Sequence, residues 1–326
     1  MTLKSVIKLL PWVITFVALY FAFRGIDWPA FTACLLGASP LLLAAAVVLT
    51  CLSYLLRAWR WRYLFSSDVI GFLDSWRVLI LGFFMNNVLP ARAGELVRAH
   101  LGAKVTGQTR TLVLATIASE RLADGLTISI MFTIFAFGLG NQELSSELFY
   151  VAVFFAAATL CVAVVLMNRP LLFRLVEKIS GRINSSASHY TANRIQIFLN
   201  GLSPLYSRRG APLISFWSIV IWTVELLVYF CIERAFGASL PVPATVLFLV
   251  AVNFSSLIPA APGAIGVIEA VTTAALMSVG VDKELALSMV LTQHAIQYIV
   301  VGVPGAVVML NWKNRIKEAQ SESGNE

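Results

Sequence analysis

Long apolar runs constrain this chain more than any other feature of its sequence. A helix needs about 20 residues to cross about 30 Å of hydrocarbon. Six runs approach or exceed that length, at residues 9–24, 40–56, 111–139, 149–167, 212–234 and 285–310. Of the 326 residues, 59% are apolar and 13% are charged, against about 45–50% and about 25% in soluble domains. The sequence therefore predicts an all-α polytopic membrane protein with six transmembrane helices, and it excludes a soluble enzyme.

Two further apolar segments are too short to cross a membrane. Residues 76–89 and 244–258 contain 14 and 15 residues, and each leads directly into a stretch broken by Pro and Gly. Short apolar helices that end at such breaks are typical of segments that enter the membrane and return on the same side. We therefore predict two re-entrant helical hairpins, each completed by a second short helix.

The two broken segments resemble each other in sequence. The segments align without a gap at four positions, which hold a polar residue, an aliphatic residue, a proline and a glycine. These positions are Asn87, Leu89, Pro90 and Gly94 in the first segment and Ser256, Ile258, Pro259 and Gly263 in the second. Long spans flank both segments, so residues 40–139 and 212–310 are predicted to form an internal repeat within a single integral membrane domain. Pro and Gly are also frequent in membrane helices generally, which leaves a chance similarity as the alternative.

The basic residues predict the orientation of the chain. Cytoplasmic loops carry an excess of Lys and Arg, and placing both termini in the cytoplasm puts 20 of the 24 Lys and Arg residues on that side. Seven of them lie in a basic cytoplasmic loop at about 168–211. In this orientation the first hairpin enters from the cytoplasm and the second from outside. The two units are therefore predicted to have inverted topology, as in many transporters.

The segment from Arg57 to Phe65 alternates Arg with aromatic residues. Trp and Tyr rings commonly lie at headgroup depth, where Arg can reach phosphates and water, so we interpret this stretch, with Arg57 and Arg60, as an interfacial anchor at the cytoplasmic end of the second span. Binding of RNA is the less favoured interpretation of this alternation. No nucleic-acid partner is predicted.

The third span carries charged residues near its middle. Glu120 follows Arg110 by ten residues, which is about 15 Å along a helix. Glu120 and Asp124 share one helix face, and Arg121 can pair with Asp124 three residues later. Placing a charge at such a depth costs at least about 2.5–3.5 kcal/mol. These groups are predicted to face an aqueous path through the protein, with an inert ion-pair cluster that fixes the hairpins as the alternative.

Polar residues also follow the first break and lie in the last span. Arg92, Glu95 and Arg98 are spaced three residues apart after Pro90. Two Arg residues at the start of a helix can hold a lipid phosphate, and ordinary positive flanking of a membrane helix is the alternative. His294 lies in the middle of the last span, where it either lines a path or forms a packing hydrogen bond.

The sequence contains no motif for a metal, a nucleotide or an enzymatic nucleophile. Its three His residues lack metalloprotease spacing, and it has no phosphate-binding loop and no dinucleotide fingerprint. Its four Cys residues are scattered through apolar stretches. No catalytic residue, metal site or cofactor is predicted, and the chain is not expected to be an enzyme.

Three signatures resemble those of the flippase-like, lysylphosphatidylglycerol synthase transmembrane family. The first comprises Asn87, Leu89, Pro90, Arg92, Gly94, Glu95 and Arg98, the second Glu120, Arg121 and Asp124, and the third Pro262, Gly263, Gly266, Val267 and Glu269. Ala264 stands where the family pattern has another Gly. The resemblance extends from about residue 9 to 312 and implies a multi-pass protein of the bacterial inner membrane. Because the chain ends soon after its last predicted span, we expect a stand-alone member without the synthase domain.

The resemblance and the inverted repeat together predict translocation of a lipid between membrane leaflets. The lipid itself stays open among phospholipids, aminoacyl-phospholipids, hopanoids and polyprenyl lipids. The predicted path or substrate-binding residues are Asn87, Pro90, Arg92, Gly94, Glu95, Arg98, Glu120, Arg121, Asp124, Pro259, Gly263, Gly266, Glu269 and His294. Two alternatives are a secondary transporter of a small polar solute and a non-transporting scaffold. In the second case a lipid-synthesis enzyme would be the partner, and the sequence leaves the oligomeric state open.

Overall fold

The computed structural model describes residues 3–65, 69–90, 93–138, 186–258 and 260–323, together with residues 153, 154, 157 and 161. Every regular element in these ranges is helical, and they contain no β-strand. The all-α prediction is therefore confirmed for this part of the chain. Three earlier predictions lie outside it in whole or in large part, namely the span at 149–167, Arg92 and Pro259, and residues 168–185 of the predicted basic loop at 168–211 also lie outside it.

The chain begins with a sharply bent pair of helices. Helix α1 covers Leu3–Phe23 and α2 covers Trp28–Gly37, and their axes differ by 89°. Gly25 forms the bend with φ 71°, and the Asp27 side chain accepts a hydrogen bond from the Ala30 backbone at 3.3 Å. Helix α1 corresponds to the first predicted span, whereas the short α2 was not predicted.

Four helices cover the region predicted as the first repeat unit. They are α3 (Pro40–Arg62), α4 (Phe72–Val88), α5 (Gly94–Thr106) and α6 (Arg110–Gly138). The chain leaves α4 at Leu89, which is extended with φ −100° and ψ 141°. The ring of Pro90 disfavours helical backbone at the residue before it. The predicted first hairpin is therefore a short helix, a proline break and a second short helix.

The second unit repeats this order of long and short helices. After α7 (Ser186–Gly201) come α8 (Gly210–Ala235), α9 (Val242–Ser255), α10 (Val267–Met277) and α11 (Lys283–Ser323). Between α9 and α10 the backbone passes through left-handed conformations at Gly263 (φ 70°) and Gly266 (φ 84°). Glycine adopts such angles without steric cost.

The two units pack against each other through equivalent elements. Helix α3 packs on α8, the first hairpin helix α4 packs on α11, and the second hairpin helix α9 packs on α6. Each hairpin therefore lies against the last long helix of the other unit. The Cα atom of Gly305 lies so close to Phe84 that a Cβ there would be 2.4 Å from the Phe84 Cβ.

Three of the described helices are long and apolar enough to cross a membrane by themselves. They are α3, α8 and the part of α11 from Lys283 to Trp312, and the bent α1–α2 pair raises the number to four. A multi-pass membrane protein follows from these helices. The finer arrangement of six spans with two re-entrant hairpins stays a prediction.

The contact between α4 and α11 predicts unequal effects of two neighbouring glycine substitutions. In Gly305→Ala the new methyl group overlaps the Phe84 Cβ, and overpacking of this kind costs about 1–3 kcal/mol. In Gly302→Ala the added Cβ meets nothing within 4 Å, and stability should stay equal or rise slightly. Thermal unfolding of the purified proteins in detergent measures the difference. Equal melting temperatures for the two variants would contradict the tight packing of the hairpin on α11.

Candidate functional site

A buried ion cluster connects α3, α6 and α8. Arg60 Nη1 lies 2.7 Å from Asp124 Oδ1, and Arg57 Nη1 lies 3.3 Å from Asp124 Oδ2. Arg57 Nη2 extends the cluster to Glu225 Oε1 at 3.1 Å. Arg57 and Arg60 reach the same carboxylate because residues three apart share a helix face. The interfacial role predicted for both arginines is wrong, since α3 continues to Arg62 and both side chains are buried.

Neutral donors complete this cluster. The Ser53 hydroxyl donates to Glu225 Oε1 at 2.6 Å, and the Trp222 indole N–H donates to Asp124 Oδ1 at 3.0 Å. The Arg57 guanidinium also lies 4.8 Å from the centre of the Trp222 ring. Buried carboxylates are tolerated when they are paired and hydrogen-bonded in this way.

A second buried pair joins α5 to α6. Arg98 donates from Nη1 and Nη2 to the two carboxylate oxygens of Glu120, at 3.1 and 2.7 Å. The side chains are only 2% and 0% exposed, and the guanidinium stacks 4.2 Å above the Trp61 ring. The predicted role of Arg98 as a phosphate ligand is not supported, because both of its terminal nitrogens already bind a carboxylate.

Arg121 forms the third and most accessible pair. Its Nε lies 3.0 Å from Glu95 Oε1, and its Nη2 lies 3.8 Å from Glu120 Oε1. The Arg121 and Glu95 side chains keep 29% and 28% of their surface exposed. The pairing of Arg121 with Asp124 along the helix was predicted wrongly, since Asp124 is bound by the two arginines of α3.

These three groups balance in charge. Four guanidinium groups, from Arg57, Arg60, Arg98 and Arg121, face four carboxylates, from Glu95, Glu120, Asp124 and Glu225. Within the sequence of α6, only Arg121 lies next to Glu120 and Asp124, and this predicted an excess of negative charge. The structure supplies the missing positive charges from α3 and α5.

The second hairpin is held by a different set of contacts. Glu269 Oε2 accepts a hydrogen bond from the Gly266 backbone at 2.6 Å and caps α10. Its Oε1 lies 2.6 Å from His294 Nδ1, and His294 Nε2 lies 3.2 Å from the Gly263 carbonyl. The ring therefore contacts a carboxylate on one side and a backbone carbonyl on the other. His294 thus ties α11 to the break in the second hairpin.

A cavity of about 600 Å³ lies between the two breaks. Helices of both units line it, and its wall includes six of the predicted path residues: Asn87, Glu95, Arg121, Asp124, Gly263 and His294. Glu120 and Glu269 are not in this wall but contact the lining residues Arg121 and His294, and Arg98 in turn binds Glu120. Sequence reasoning omitted Tyr54, Arg57, Trp222 and Gln297, which also line the cavity.

The predicted glycines have packing roles. A Cβ at Gly94 would lie 2.2 Å from the Gly82 carbonyl oxygen, and a Cβ at Gly266 would lie 2.7 Å from the Thr15 carbonyl oxygen. Each glycine therefore allows a hairpin backbone to approach a neighbouring helix closely. Pro90 produces the first break, as described above, and does not itself line the cavity among the described residues.

The fold and its buried polar centre define the class of this protein as a polytopic α-helical membrane protein. The chain belongs to the family described as "Lysylphosphatidylglycerol synthase TM region", whose profile matches residues 8–305. The family membership expected from the three signatures is thereby confirmed.

Curated relatives are similar over most of this chain. Glycosyltransferase AglD of Haloferax volcanii is 26% identical over 88% of this chain and 51% of AglD, so this chain spans about half the length of AglD. The UPF0104 membrane protein PH1989 of Pyrococcus horikoshii is 23% identical, with coverage of 83% and 86%. The UPF0104 membrane protein MJ1595 of Methanocaldococcus jannaschii is 21% identical, with coverage of 94% and 95%.

The buried Arg98–Glu120 pair predicts a large and specific loss of stability. Arg98→Met leaves the Glu120 carboxylate uncompensated, and breaking a buried pair in this way costs about 3–5 kcal/mol. Adding Glu120→Gln should recover part of the loss because the uncompensated charge is removed. Arg98→Lys should recover less than full stability, because Lys lacks the planar fork that binds both oxygens. Thermal unfolding in detergent measures each variant.

The half-exposed pair of Arg77 and Asp74 provides the control. Its side chains are 29% and 49% exposed, so Arg77→Met should change stability by no more than about 1 kcal/mol. Equal losses for Arg98→Met and Arg77→Met would show that the buried pair does not stabilise the hairpin.

Proposed function

We propose that this protein moves lipids between the two leaflets of a membrane. The cavity between the hairpin breaks would hold the polar headgroup, while the acyl chains stay in the surrounding hydrocarbon. The observation that carries this proposal is a cavity with paired charged groups in its described wall, built by helices of both units in a chain with multiple apolar helices. The chain acts in this proposal as a transporter rather than as an enzyme.

The packing of the two units supports an inverted repeat. Helices α3 and α8 hold equivalent positions in the two units, and they contact each other. Helix α4 contacts α11, and their equivalents α9 and α6 contact each other as well. A pseudo-two-fold arrangement of this kind places the substrate site at the interface of the repeats. We include in the proposal six spans, both termini in the cytoplasm and a location in a bacterial inner membrane.

The paired charges would keep the path polar without leaving an isolated ion in hydrocarbon. The buried pairs on α3, α5 and α6 fix the frame, whereas the partly exposed pair of Arg121 and Glu95 lines the cavity. In this view Arg98 and Glu120 position the lining residues and do not touch the lipid. The roles of Arg92 and Pro259 remain those predicted from the sequence.

One comparison favours a second candidate function. AglD carries the name of a glycosyltransferase and is similar to 88% of this chain. The shared region could serve such chemistry by holding a membrane lipid for a lipid-synthesis enzyme, with no transport. Leaflet exchange in vesicles that contain only this protein separates the two functions, because a holding module by itself exchanges nothing.

Filling the cavity should stop lipid exchange without unfolding the protein. Asn87 lines the cavity, and Asn87→Trp places a large ring there. The adjacent Val88 is 51% exposed and is not part of the cavity wall, so Val88→Trp serves as the matched control. In vesicles with fluorescent lipids, we expect exchange to fall at least about tenfold with Asn87→Trp and to stay near wild type with Val88→Trp. Unchanged exchange in a well-folded Asn87→Trp protein would exclude this cavity as the path.

The inverted repeat predicts that residues at the ends of the two hairpins are accessible from opposite sides of the membrane. Lys104 and Asp282 are exposed residues that follow the hairpin breaks, near the ends of α5 and α10. In a background with the four native cysteines replaced by Ser, Lys104→Cys should react from the cytoplasmic side only. Asp282→Cys should react from the outer side only. Labelling of intact cells and of inverted vesicles with a membrane-impermeant maleimide measures this, and reaction of both sites from one side would exclude inverted topology.

A further inference from the structure

The geometry points to a neutral, hydroxyl-bearing headgroup, such as the sugar of a glycosyl lipid, as the ligand of the cavity between the hairpins. This inference rests on the proposed function, because it names the class of lipid that the same cavity would take. Three observations support it: the pairing of the charges on the described wall, the neutral polar groups that remain, and the aromatic character of the lining.

The charged groups of the described wall are already bound to each other. Arg57 contacts the carboxylates of Asp124 and Glu225, and Arg121 contacts that of Glu95. A phosphate headgroup would have to share a guanidinium whose charge a carboxylate already neutralises. A cationic headgroup would compete with a guanidinium for a carboxylate in the same way. A neutral ligand leaves every pair intact.

Neutral groups that can hydrogen-bond remain available on the wall. Tyr54, Asn87 and Gln297 line the cavity, and their side chains form no hydrogen bond to the part of the protein that the structure describes. A primary amide both donates and accepts hydrogen bonds, as does a phenol. A sugar hydroxyl also does both, so these groups match it, whereas a phosphate dianion only accepts.

The lining also offers apolar surface for the carbon face of a sugar ring. Phe83, Trp222 and Tyr298 belong to the wall. Ligand sites typically combine aromatic walls with a few polar groups, in volumes of about 300–1,000 Å³, and this cavity has about 600 Å³. The polar groups come from both repeat units, since Tyr54 and Asn87 lie on α3 and α4 and Gln297 lies on α11. A headgroup bound by all three would sit where the two hairpins meet.

Direct binding tests the headgroup class independently of transport. The probes are two dihexanoylglycerols, one carrying galactose and the other carrying phosphate, titrated calorimetrically into the purified protein in a detergent without a sugar. We expect the galactosyl lipid to bind at least about tenfold more tightly. Equal affinities would overturn the inference. If the phosphate lipid binds more tightly and Arg92→Gln abolishes that binding, the inference is overturned in favour of a phosphate site that includes Arg92.

Two substitutions test the residues that carry the inference. Asn87→Leu and Gln297→Leu remove an amide at nearly constant size, and each should weaken galactosyl binding about tenfold, as expected for one lost neutral hydrogen bond. Val88→Leu and Ile299→Leu introduce the same residue at exposed positions outside the wall and should bind like wild type. Wild-type affinity in a folded Asn87→Leu/Gln297→Leu double variant would overturn the assignment.

Transport measurements distinguish a lipid-bound sugar from a free sugar. Vesicles with the protein are assayed for leaflet exchange of fluorescent galactosyl and phosphate lipids and for efflux of trapped galactose. Faster exchange of the galactosyl lipid than of the phosphate lipid supports both the proposed function and this inference, and equal exchange of both lipids overturns only the inference. Galactosyl binding without exchange of any lipid overturns the proposed function and supports the headgroup class. Efflux of galactose without lipid exchange overturns a lipid ligand in favour of a free sugar.

Discussion

The structure depends on the rule that a charge in a low-dielectric interior needs a partner. Glu120 and Asp124 lie in the middle of α6, and each is bound by arginines from another helix, Glu120 by Arg98 and Asp124 by Arg57 and Arg60. An uncompensated carboxylate there would cost several kcal/mol. The pairs therefore determine which helices must be neighbours, and they bring α3, α5 and α8 to α6.

The hairpin breaks must meet the same demand for satisfied polar groups. A helix that ends inside the fold leaves backbone groups without intrahelical partners. In the second hairpin Glu269 caps the Gly266 N–H, and His294 contacts the Gly263 carbonyl. The cavity lies where these breaks meet, so the features that interrupt the helices also create polar space between them.

Charge pairing explains how an apolar chain can enclose a cavity with polar groups in its wall. The buried acids Glu120, Asp124 and Glu225 are each bound by arginines, and Arg121 and Glu95 present a paired charge to the cavity. Neutral amide, phenol and aromatic groups make up much of the rest of the described wall. Such a site would recognise a polar headgroup by hydrogen bonding rather than by net charge.

The sequence by itself determined the elements and the family, because apolar run length, proline breaks and glycine spacing act locally. It predicted both broken segments, placed α6 and α8 to within two residues of their ends, and identified Glu120 and Asp124 as unusual, whereas α3 and α11 extend 6 and 13 residues beyond the predicted spans. It could not reveal the partners of those acids. Arg57 follows an apolar span as an interfacial residue would, and only the packing of α3 on α6 and α8 buries it. Tertiary structure alone decided which charges neutralise each other, because the pairs join residues 22 to 168 positions apart in the chain.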